Sequence, residues 1–120
     1  NGEGYSEEAF QIAIDNNLAV IGTSDVHNLI DWDYKPHLGG HRPVTLVFAN
    51  SKRENSVKDA LKGRRTVIWF KNTLFGLKRN MQPLLKASLS IESASYNNRT
   101  QILGVNIKNN SDFHKNNYFC

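Results

Sequence analysis

Cysteine is nearly missing: Cys120, the last residue, is the single thiol in 120 residues. An internal disulfide is therefore excluded, and thiol content says nothing about compartment. Long apolar runs are missing too. No stretch approaches the roughly 20 residues that a membrane-spanning helix needs, and the opening Asn1-Gly2-Glu3-Gly4 carries no signal-peptide pattern. The sequence does not begin with Met, so we expect an internal piece of a longer protein. Acidic side chains are scarce after residue 50: residues 51–120 hold four against thirteen basic, whereas residues 1–50 hold seven against two basic. That split fits cation binding in the first part and an anionic partner or substrate over the second; the plain alternative is a solvated basic face.

What is present is a globular composition, with 39% hydrophobic and 22% charged residues and a mean hydropathy of −0.51. At this length one domain with a modest core is expected. The organising stretch is Val20-Ile21-Gly22-Thr23-Ser24-Asp25-Val26-His27. Leu18 to Ile21 is unbroken apolar, which suits a strand buried on both faces of a parallel sheet. With an extended backbone through His27, Asp25 and His27 project from one face at the strand's carboxyl end. A carboxylate beside an imidazole suits a divalent ion or acid/base chemistry. The bland reading stays open as well: Asp25 caps the next turn and His27 bonds locally.

Around that stretch the chain reads as α/β. Ser6 is an N-cap with Glu7 and Glu8 at the positive helix end, Ala9, Phe10, Ala13 and Ile14 recur at helical spacing, and Asn16-Asn17 stops the helix. Residues 28–40 have no period and read as an ordered surface loop. In it and just after it lie Asp31, Asp33, Trp32, Tyr34, His37 and His41. His37 and His41 read either as residues that touch substrate or back up a ligand, or as solvent-exposed side chains. Pro43 precedes a strand over 44–49, a helix over 52–62 with Gly63 at its C-terminal stop follows, and 67–70 is another strand. Parallel pairing of these strands would make a right-handed βαβ unit. A turn over 72–76 leads to a helix over 77–89 that must accommodate Pro83 near its start or kink there. From Ser90 the period becomes two, giving a hairpin of residues 90–96 and 101–107. We therefore expect 1–89 to be the α/β portion and 90–120 a small β-rich appendage.

The helix, the Asn-Asn turn, the apolar strand and Gly22-Thr23-Ser24-Asp25-Val26-His27 together resemble the last metal-binding motif of the PHP (polymerase and histidinol phosphatase) family of metal-dependent phosphoesterases. His41-Arg42-Pro43 with 44–49, then Ala60 to Thr66, looks like the continuation in one subgroup with an associated C-terminal region. The resemblance implies the C-terminal fragment of a distorted (β/α)7 barrel followed by the β-rich appendage. It implies that Asp25 and His27 are metal ligands, and that the full-length protein holds two or three divalent ions, Zn, Mn or Fe. It further implies metal-dependent hydrolysis of a phosphate ester, with a small phosphorylated substrate. The family's H-x-H and further His, Asp and Glu ligands have no counterpart in these 120 residues. Alone the chain is then expected to be inactive, and its partner would be the upstream remainder of its own barrel.

Arg42 is the candidate phosphate contact, because guanidinium pairs bidentately with phosphate; a structural role, holding the loop through carbonyls or through Asp31 and Asp33, fits the sequence equally. A competing class is a non-catalytic module binding carbohydrate, protein or another ligand through the appendage. Nucleic-acid binding, suggested by Lys62-Gly63-Arg64-Arg65 beside Trp69-Phe70-Lys71, is disfavoured because Val67 to Phe70 reads as core.

Overall fold

In the computed structural model, residues 4–111 are described. The expected turn at Asp112 and the terminal thiol Cys120 lie outside them. The first helix, α1 (Glu7–Asp15), begins as its residues require: the Ser6 hydroxyl accepts from the Ala9 N–H at 3.1 Å. It ends at Asn17, whose φ of 56° turns the backbone left-handed. The following segment joins no ladder, so the expected strand over 18–23 is absent among the described residues. Threonine hydroxyls hold it instead. Thr66 donates to the Val20 carbonyl at 3.0 Å, and Thr45 both accepts from the Gly22 N–H at 2.9 Å and donates to the Gly22 carbonyl at 3.1 Å. The segment thus lies against a sheet that its own residues do not enter.

That sheet has three strands in the order β1-β2-β3: β1 (Val44–Val47), β2 (Thr66–Phe70) and β3 (Thr73–Gly76), all antiparallel. The expected parallel βαβ crossover is therefore corrected. α3 (Glu54–Lys62) returns the chain antiparallel, with Val44 opposite Trp69 and Val47 opposite Thr66. Helical and strand periods were legible, but direction depends on whether the connection re-enters the sheet at the end it left or at the opposite end, and the periods do not encode that. Gly63 is the C-cap of α3, as expected, with φ −75°, and the positive φ falls on the next residue, Arg64, at 55°. The expected turn over 72–76 is narrower. Lys71 and Asn72 form it, and 73–76 continue as β3.

Residues 28–40 are not wholly irregular. They contain a one-turn helix α2 (Ile30–Tyr34) and a 3₁₀ turn at Pro36–Leu38, separated by left-handed Lys35. Gly40 is required where it stands, because a Cβ there would run into the Tyr34 carbonyl oxygen.

Among the described residues the buried apolar core is small: Pro43 before β1, Ala60 on α3, and Val67 and Phe70 on β2. Thr66 and Asn80 are buried with them. Asn80 satisfies its amide by donating to the carbonyls of Arg64 at 2.7 Å and Thr66 at 3.1 Å. A second compact unit begins in the chain after Met81, inside α4 (Lys78–Ser88), next to Pro83. It carries the antiparallel hairpin β4 (Leu89–Asn97) and β5 (Ile102–Asn109), as the period-two pattern predicts. No helix among the described residues is long and apolar enough to cross a membrane.

Candidate functional site

The Asp25–His27 turn owes its position to the backbone before it. Gly22 packs so closely on β2 that a Cβ would stand 2.5 Å from Ile68 Cγ2. The Tyr34 hydroxyl donates to the Ser24 carbonyl at 3.1 Å, tying α2 to the residue preceding Asp25. Asp25 itself is left-handed, with φ 55°. Its convergence with His27 therefore does not come from an extended strand, as expected from the sequence. The backbone turns at Asp25, and asparagine and aspartate are among the residues that tolerate this conformation.

The result is a pair of side chains on one side of the chain. Asp25 Oδ1 and His27 Nε2 stand 3.8 Å apart, and the side chains are 60% and 86% exposed. Such openness leaves both donor atoms approachable. Two donors each about 2.1 Å from one ion lie at most about 4.2 Å apart, so this separation is compatible with a shared cation. Among the described residues no third His, Cys, Asp or Glu joins them into a cluster able to hold a metal. Asp31, Asp33, His37 and His41 are thus not brought to the pair as further ligands.

Beside the turn, Gly22, Thr23, Ser24, Arg42, Pro43, Val44 and Thr45 line an open groove of about 430 Å³. Arg42 is exposed there, while Pro43 behind it is buried. His41 is half-buried against β2: its ring stacks on Trp69 at 3.9 Å and 29°, and meets Phe70 edge-on at 6.5 Å. Its Nδ1 lies 2.9 Å from the Arg42 carbonyl, and its Nε2 is buried without a hydrogen-bond partner. His37 is exposed on the 3₁₀ turn. Tyr34 packs edge-on against Phe70 at 6.4 Å, whereas Trp32 is 66% exposed. The sequence reading missed Thr45 and Thr66 as the clamps of the 20–22 segment. In a strand, threonine reads as a β-branched residue, and nothing local distinguishes a hydroxyl that bonds across the sheet.

The fold and site define a small mixed α/β piece with two antiparallel sheets and an exposed carboxylate–imidazole pair. The chain is similar, with a TM-score of 0.84 and 37% identity, to a two-domain protein from Bacteroides vulgatus ATCC 8482 containing a predicted PHP-like metal-dependent phosphoesterase. The match takes in 94% of this chain and 32% of that one, so the chain spans about a third of that protein's length. The likeness relates it to part of a PHP-like protein and agrees with its being a piece of a larger domain. No protein-family model and no curated protein matches the sequence.

Proposed function

We propose that Asp25 and His27 are two of the ligands of a divalent cation in a metal-dependent phosphoesterase, the remaining ligands lying in upstream sequence that completes a barrel with this chain. The observation that carries the reading is the 3.8 Å approach of Asp25 Oδ1 to His27 Nε2 with both groups open to solvent. The likeness to a PHP-like protein supports it.

Zinc, manganese or iron bound there would supply an activated hydroxide and neutralise phosphoryl oxygens. The chain's own residues do the rest. Asp25 contributes the negative charge that offsets a cation, and His27 contributes a neutral nitrogen donor. Arg42, in the groove beside Thr23 and Ser24, binds the phosphate by two parallel N–H donors, and the two hydroxyls are available to its remaining oxygens. A catalytic ion takes about three protein ligands and an open position, so this chain alone is inactive and the phosphate ester is hydrolysed by the full-length protein.

Titration of the metal-free full-length protein with Mn²⁺ or Zn²⁺ tests this. The Asp25→Ala, His27→Ala double variant is expected to lose tight divalent binding while keeping its folded circular-dichroism spectrum. Equal affinity in variant and wild type would remove the basis of the reading.

A further inference from the structure

Resting on that reading of the site, we propose that His41 is a positioning residue: its Nδ1–H fixes the main chain of Arg42 and so holds the guanidinium in the groove where the substrate's phosphate binds. A carbonyl can only accept, so the 2.9 Å contact between Nδ1 and the Arg42 oxygen places the proton on Nδ1. In the neutral ring Nε2 is then an acceptor, and it is buried with no donor facing it. A ring in that state gains nothing from its second nitrogen.

The stack on Trp69 at 3.9 Å and the edge contact with Phe70 are available to any aromatic ring, and phenylalanine would make them without burying a bare lone pair. What histidine adds over phenylalanine is the single N–H to Arg42. That bond acts where it matters. His41 is anchored on β2 through Trp69, Pro43 is buried, and Arg42 between them is the exposed residue that turns into the groove with Thr23, Ser24 and Thr45. Because Nε2 is shut from solvent, His41 offers substrate no contact through that nitrogen. It acts through its neighbour.

Two substitutions separate the hydrogen bond from the packing. His41→Phe keeps the ring on Trp69 and removes the donor; His41→Asn loses the ring but returns an amide N–H at the position of Nδ1. The probe is inorganic phosphate, titrated into the Mn²⁺-loaded full-length protein and compared with Arg42→Ala, with Mn²⁺ affinity measured on the same samples. His41→Phe is expected to weaken phosphate binding about tenfold, approaching Arg42→Ala, with Mn²⁺ affinity unchanged, and His41→Asn to recover most of that loss. A purely packing role predicts the reverse order, and that order, or His41→Phe binding like wild type, overturns the proposal. Failure of the wild-type protein to bind phosphate at all would instead overturn the reading of the site, and the positioning role with it.

Discussion

Thr45 bears more on the site than its place in a short edge strand suggests. One hydroxyl satisfies both the N–H and the carbonyl of Gly22, three residues before Asp25. Thr45→Val preserves shape and removes both bonds, leaving two part-buried backbone groups without that partner. We expect a loss of about 1–3 kcal/mol in urea unfolding, together with weaker divalent binding as the turn at Asp25 loosens. Gly22→Ala attacks the same segment sterically, through the contact with Ile68. Its expected cost is also about 1–3 kcal/mol, and Ile68→Ala in the same chain should relieve part of it by making room. Arg64 gives a change of opposite sign. It occupies a left-handed position at φ 55° after α3, where glycine is at ease. Arg64→Gly is expected to stabilise by up to about 1 kcal/mol, read as a higher urea midpoint with unchanged slope.

At the level of elements, local signals were legible and pairings were not. Ser6 as the cap of α1, Asn17 as its left-handed stop, Ala60 facing inward and the β4–β5 alternation all appear where nearest-neighbour chemistry puts them. The strand expected over 18–23 did not form a ladder, because its partners must come from elsewhere and hydrophobicity alone does not supply hydrogen bonds. The close approach of Asp25 and His27 was anticipated, but its cause, a left-handed Asp25, was not. The hairpin carries a register feature that simple alternation misses. A bulge between Ile91 and Ser93 shifts the pairing so that Ile91, Ala94 and Tyr96 oppose Ile107, Val105 and Leu103, and all six point to one face. Without the extra residue, Ile91 would point the other way. The β2–β3 turn is tighter, with only Lys71 and Asn72 between the paired Phe70 and Thr73, both at positive φ, which is a type I′ turn. Lys71→Asn with Asn72→Gly supplies the pair best suited to it, and a gain of about 1 kcal/mol in denaturant unfolding is the expected result.

The molecule as a whole buries little of its apolar surface. Among the described residues few apolar side chains are buried, Ala60, Val67 and Phe70 with Pro43, while Ile12 at 53%, Leu18 at 56% and Ile21 at 55% stay exposed along α1 and the segment after it. These are the side chains that the upstream sequence proposed above would cover. The proposal that upstream sequence packs there makes a differential claim about one residue. In the 120-residue chain by itself Ile21→Asp changes an exposed side chain on a segment held by Thr45 and Thr66, so its expected effect is within about 0.5 kcal/mol. In the full-length protein the same carboxylate would be driven between Leu18–Thr23 and its new strand neighbours, an unpaired charge in an apolar layer. There the expected loss is several kcal/mol, of order 3 or more. Parallel urea titrations of both lengths read the difference, and an equally mild effect in each would mean that the face around Ile21 stays open in the longer protein.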